Sequence, residues 1–402
     1  MKIRSITLFY HPSYEQASPL AGLAENINGI KNAVEEIGWE VQTTRLATVP
    51  FGIYVRPAEA ADRLHALEIE GTKLGFDYVS AGPARISRPD EYQVIPEILS
   101  ATENVFLTGM MTEKQRGISP MAVRACAEVI TQAARITQDG FANLRFCAMS
   151  GVRPFTPFFP AAYSYGTQPS FALAVECADA AVEAFKNADD INNGRKALLT
   201  ALDTAAEELY AEIRDQNLIW TLPFKGFDFS LAPFPEDWCS LAGAIENLAG
   251  VPIGTMGSLT AAAILAETLD RGSWRRVGYN GLMLPVLEDS ILADRSIEGT
   301  YSIKDLLMFS AVCGTGLDTV PLPGDVSVEA IQALLTDVAA LSLRLNKPLT
   351  ARLMPVPNMQ ASEKTNFDFD FFKNGKVLDF PAVGLGKLLT EPEWIKIQSR
   401  AR

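Results

Sequence analysis

The chain opens on a strand-like pattern and then alternates between two periods. In Lys2–Tyr10 the apolar members are Ile3, Ile6, Leu8 and Tyr10, which read as a strand. Ser18 and Pro19 supply an N-cap and a first helical residue. Leu20, Leu23, Ile27, Ile30, Val34 and Ile37 then recur on one helical face, and Gly38 is placed to end it. Further strands are predicted at 41–49, 77–80, 104–107, 144–149, 227–231, 277–287, 317–322 and 350–354. Helices are predicted at 57–74, 92–99, 120–136, 170–186, 193–215, 236–248, 258–270, 302–311 and 327–346. Strands alternating with helices imply parallel strands and crossover helices, an α/β fold.

No Pro-, Gly- or Ser-rich linker divides the chain, so one large barrel or wound sheet is expected over residues 1–358. The stretch 359–402 differs. FDFDFFKNGKVLDF alternates and then turns at Asn374-Gly375, which predicts a C-terminal β-hairpin and tail, placed at a subunit contact.

Composition narrows the function. The 402 residues are 48% apolar and 21% charged, an ordinary globular balance that argues against disorder. Lys and Arg total 35 against 48 Asp and Glu, a net charge of −13, which argues against nucleic acid and anionic membranes as partners. Five cysteines with no CxxC pair speak against a disulfide framework or a Cys-rich zinc site. No apolar run approaches the roughly 20 residues that span a bilayer, and the N-terminus lacks a signal peptide, so a cytoplasmic location is expected.

Candidate chemistry sits where strands are predicted to end. His11, one of two histidines, follows the first strand; His65 lies within a predicted helix and reads as structural. Asp228, Glu288, Asp289, Asp318 and Asp325 fall at strand ends, and converging carboxylates suit general acid–base catalysis or Mg²⁺ or Ca²⁺. Glu288, Asp289 and Asp325 form the candidate metal set, and Asp228, Glu288, Asp318 and His11 the catalytic one. Cys313, beside two glycines, is a weaker nucleophile candidate. Gly254, Thr255, Gly257 and Ser258 precede a helix whose free N–H groups favour an anion. Arg352 stands alone in an apolar strand and needs a carboxylate partner, in the protein or in a substrate. Tyr279 and Asn280 join this substrate-binding group. The loop 151–169 holds four prolines and five aromatics and reads as a lid with Arg153 facing an anion, or equally as a plug or an interface.

Five motifs in order, FDFSLAP (227–233), GTMGSLTAAAIL (254–265), VGYNGLMLPVLED (277–289), CGTGLDTVPLPGD (313–325) and TARLMPVP (350–357), resemble uncharacterised protein family 0210, also called domain of unknown function 711. That resemblance implies a ten-stranded α/β barrel like that of the glycyl radical enzymes, in place of a TIM-like barrel or doubly wound sheet. It supplies no reaction. Arg276-Val277-Gly278-Tyr279 is one residue short of a glycyl-radical motif, so radical chemistry is not expected. Met256 stands where the family usually has histidine, and Arg153-Pro154-Phe155 and Tyr165-Gly166 depart from its aromatic loop.

The expectation is an enzyme acting on a small anionic metabolite by general acid–base chemistry, with a divalent ion assisting. The rival is a non-catalytic small-molecule sensor. A homodimer or larger homo-oligomer is expected.

Overall fold

The structure, a computed structural model, describes residues 1–12, 20–215 and 222–400. The Ser18-Pro19 helix start predicted above lies outside them. Nine strands form one sheet: β1 (Lys2–Tyr10), β2 (Thr44–Thr48), β3 (Tyr78–Ala84), β4 (Val105–Met110), β7 (Phe146–Ser150), β8 (Ser170–Glu176), β9 (Phe224–Asp228), β10 (Gly316–Pro323) and β11 (Leu349–Val356). Two short strands, β5 (Thr112–Glu113) and β6 (Gly117–Ile118), make a separate ribbon. The order in the sheet is β10-β11-β7-β4-β3-β2-β1-β8-β9. Strands β1, β2, β3, β4 and β7 run parallel to one another. β8 is antiparallel to β1 and β11 to β7, so β8–β9 and β10–β11 run the other way. The α/β expectation holds.

The segment 276–286 occupies the space between β9 and β10. Phe227 bridges Arg276, Leu231 bridges Leu282 and Pro285 bridges Asp318, all in parallel sense. Val277 N donates to the Phe227 carbonyl at 3.0 Å and Val286 N to the Asp318 carbonyl at 3.1 Å. The continuous strand predicted at 277–287 is therefore a string of isolated bridges. Gly278 and Asn280, both at positive φ, kink it.

Each strand has two buried faces. Ile3, Ile6 and Leu8 pack on the helical side in the main core, while Ser5, Thr7 and Phe9 face inward. The aromatic loop pairs with several of the inward polar groups. Thr7 Oγ1 donates to the Pro157 carbonyl at 3.2 Å, Ser80 Oγ to the Ala162 carbonyl at 2.6 Å, and Ser164 N to the Thr48 carbonyl at 2.8 Å. Loop 151–169 thus packs on the sheet face opposite the main core; Arg153 is exposed.

Two other expectations change. Residues 170–176, read as the start of a helix, form the wholly buried strand β8, and the helix is only Ala178–Lys186. With both faces buried, SFALAVE has polar residues only at its ends and no interior alternation to mark its period. The predicted hairpin makes one antiparallel bridge, Lys364 to Lys376, and no ladder. Instead Phe367 and Phe372 pack with Leu144, Leu287, Met354 and Val356. The Asn374 side chain ties this turn by accepting from Phe367 N at 2.8 Å and donating to the Phe367 carbonyl at 2.9 Å.

Candidate functional site

A cavity of about 100 Å³ is lined by residues of the sheet, the aromatic loop and the C-terminal turn. On that measure one water needs about 10–15 Å³, so a small molecule fits. Arg4, Arg45, Tyr78, Phe106 and Cys147 reach it from the amino-terminal parts of β1, β2, β3, β4 and β7. Asp318 and Arg352 enter from β10 and β11, and Tyr279, Met283 and Glu288 from the segment between. The tip of the aromatic loop, Phe158–Ala161, forms one wall, and Phe369 and Phe371 of the C-terminal turn form another. The site therefore opens at the amino ends of the five parallel strands, not at the carboxyl ends where the sequence placed it.

Two irregularities aim the charges. The β1–β8 register shifts between Ile3 and Ser5, which makes Arg4 the extra residue of a bulge. The β10–β11 register shifts between Leu317 and Val320, around Asp318 and Thr319, and Thr319 has φ +40°. Bulges re-aim side chains in this way beside functional sites.

Three arginines and three carboxylates follow. Arg352 donates from Nη2 to Glu288 at 2.7 Å and from Nε to Asp318. Arg4 donates to Glu176 at 2.9 Å and to Glu288 at 3.2 Å. Glu288 is thus held between two guanidiniums. Burial opposes the charge on Arg4 and Arg352, but their carboxylates outweigh it and hold both above the usual arginine range. Burial raises the Asp318 carboxyl, Glu288 adds to the shift, and Arg352 opposes it.

Arg45 is different. It is 6% exposed. Its Nε donates to Thr43 Oγ1 at 2.8 Å, and its guanidinium lies 5.6 Å from the Tyr78 ring centroid and 5.0 Å from that of Phe159. No carboxylate among the described residues pairs with it, and its terminal nitrogens have no described hydrogen-bond partner. Burial, then repulsion from Arg4, pushes its pKa down to about 9. The Tyr279 hydroxyl, beside Thr350, is also buried in the pocket without a hydrogen bond.

Of the residues singled out from sequence, Glu288, Asp318, Tyr279 and Arg352 meet in this pocket. The others lie elsewhere. Asp228 is fully buried and accepts from Tyr279 N at 2.7 Å, Asn280 N at 2.9 Å and Ser230 Oγ at 2.6 Å. Burial raises its pKa to about 6. A Cβ on Gly278 would meet Asp228 Oδ2 at 2.1 Å, so this contact needs glycine. Asn280 clamps the same turn, accepting from Trp274 Nε1 at 2.7 Å and donating to the Val277 carbonyl at 2.8 Å. Asp289 is buried, caps the helix Ser290–Glu298 through Leu292 N, and bonds Ser240 Oγ and Ala242 N. Asp325 is exposed. The three carboxylates read as a metal set do not meet, and no group of three or more His, Cys, Asp or Glu among the described residues is arranged to hold a metal ion.

Gly254, Thr255, Gly257 and Ser258 form a self-bonded turn outside the pocket, with Ser258 Oγ donating to the Thr255 carbonyl at 2.7 Å. Met256 is 98% exposed. Cys313 is buried at the end of the helix Ile303–Val312, 3.9 Å from Thr315 Oγ1. His11 lines a separate groove at the carboxyl ends of β1 to β4, with Arg85, Glu113 and Tyr165. Sequence reasoning missed Arg4, Arg45 and Glu176. The signal was the one used for Arg352: a charged residue among apolar strand neighbours.

The family model described as "Uncharacterised ACR (DUF711)" matches residues 1–373. The chain is 28% identical over 385 residues to a UPF0210 protein of Pyrobaculum aerophilum, covering 89% of this chain and 84% of that one. It is 28% identical over 358 residues to a UPF0210 protein of Methanopyrus kandleri, covering 83% and 79%. A UPF0210 protein of Corynebacterium glutamicum is 26% identical over 375 residues, covering 87% and 79%. No described helix is long and apolar enough to cross a membrane.

Proposed function

This chain belongs to the DUF711 family, and from its enclosed pocket we propose that it is an enzyme acting on a small anionic metabolite by general acid–base chemistry. The observation that carries this reading is the pairing of Glu288 and Asp318 on Arg352 inside a cavity where Arg45 has no counter-ion. Asp318 is the acid in this scheme. Burial shifts its pKa upward, its side chain is 24% exposed toward the cavity, and Arg352 stabilises the carboxylate left after transfer. Glu288, fixed by two arginines, positions Arg352. Arg45 binds the anionic group.

The fold reading belongs with this. The segment 276–286, bridged to β9 on one side and β10 on the other, supports a closed ring of ten strands, five in each direction. That arrangement is similar to the glycyl-radical-enzyme barrel, with the aromatic loop as its centre.

The test is an incubation of wild-type protein and Asp318→Asn with a mixture of cellular metabolites, followed by mass spectrometry. The enzyme reading predicts an anion consumed by wild type and left intact by Asp318→Asn. An anion bound by both proteins and consumed by neither would make this a sensor.

A further inference from the structure

Resting on the anion reading above, we infer that the ligand is a monocarboxylate with a planar, apolar body, gripped bidentately by Arg45. The argument begins with what each edge and face of the Arg45 guanidinium already touches. Its central carbon lies over the rings of Tyr78 and Phe159. Thr43 Oγ1 takes the Nε hydrogen at 2.8 Å. What remains is the edge formed by the two terminal nitrogens, the planar fork that matches the two oxygens of a carboxylate.

The contacts, not the net charge, set the valence, since three arginines and three carboxylates balance in number. The other two pocket arginines are already engaged, Arg4 by Glu176 and Glu288, and Arg352 by Glu288 and Asp318. One cation without a contacting carboxylate, among the described residues, calls for one negative charge. A phosphate dianion would bring a second charge close to Glu288 and Asp318 with no free cation to meet it. Apart from the ion-paired groups and a few polar residues such as Gln42, Thr315 and Thr350, the lining is aromatic and aliphatic: Phe106, Phe158, Phe369, Phe371 and Met283 form much of it. Such aromatic walls suit a ring or a flat chain. The buried, unbonded Tyr279 hydroxyl supplies one further polar contact.

The experiment is a thermal-unfolding series on the full chain with four probes: benzoate, cinnamate, benzamide and phenyl phosphate. Wild type and Arg45→Met are compared, with Arg45→Gln as a second variant and circular dichroism to show that each is folded. Benzoate or cinnamate is expected to raise the melting temperature of wild type, with benzamide inert and the shift lost in both variants. Benzamide matching benzoate would overturn the inference, as would phenyl phosphate exceeding both carboxylates; in the latter case the anion reading survives. If no anion shifts wild type more than the variants, both readings fall.

Discussion

Glu288 and Asp289 are adjacent in sequence, and the regions they belong to bury carboxylates in opposite ways. On the pocket wall, Glu288 and Asp318 are met by guanidiniums whose far sides open on a cavity. In the layer of turns behind it, Asp289 and Asp228 are met by backbone N–H groups and serine hydroxyls, and neither lines the cavity. A carboxylate enclosed by fixed donors is structural. One paired to a guanidinium at a cavity can change its proton and its partner. The difference teaches that burial alone does not identify a catalytic carboxylate; the kind of partner does.

The comparison breaks most visibly at Arg352. Arg352→Met removes the shared cation and strands Glu288 and Asp318. The expected loss is about 3–5 kcal/mol, read by urea unfolding at pH 7. Double substitution with Asp318→Asn should recover part of that loss, since one stranded charge disappears.

Behind the pocket, Asp228→Ala leaves three backbone donors and a hydroxyl without an acceptor, for an expected loss of about 3 kcal/mol. This loss has a pH signature that sharpens the contrast. The Asp228 carboxyl titrates near 6 when folded, above its ordinary value of 3.8. Between those values the folded state holds a proton that the unfolded state has released. The Asp228 contribution to stability is therefore full below about pH 4 and declines as pH rises through about 6. The penalty of Asp228→Ala should shrink from pH 4.5 to pH 7, measured by denaturant unfolding of both proteins across that range.

How much of this was legible in the sequence depends on which faces are buried. Arg352 was legible because TARLMPVP is apolar on both sides of it. The same logic applies to Arg4 in KIRSITLFY and to Arg45 in TRLAT. There, Ser5, Thr7 and Thr44 made the polar positions look like the solvent face of a half-exposed strand. The inner face is in fact covered by loop 151–169, whose carbonyls accept from Ser5 and Thr7. Phe369 and Phe371 were read as one face of a hairpin. Their place at the pocket is set by contacts from Phe367 and Phe372 to Leu144 and Leu287, which are far away in sequence. The carboxylates were found, but strand ends could not separate Asp318 from Asp228. That separation needs the bulge at Leu317–Val320 and the turn at Gly278, both invisible to periodicity.

The smallest expected effect tests the central claim, that Arg45 is held in a stability-costing state for a ligand's sake. The direct measurement is thermal unfolding of wild type and Arg45→Met with no ligand added. Methionine keeps the apolar stem between Tyr78 and Phe159 and removes a buried cation that has no contacting carboxylate. The account predicts that Arg45→Met is the more stable protein, by about 1 kcal/mol or more. A melting temperature below that of wild type would mean that Arg45 is a structural cation, and would contradict the account.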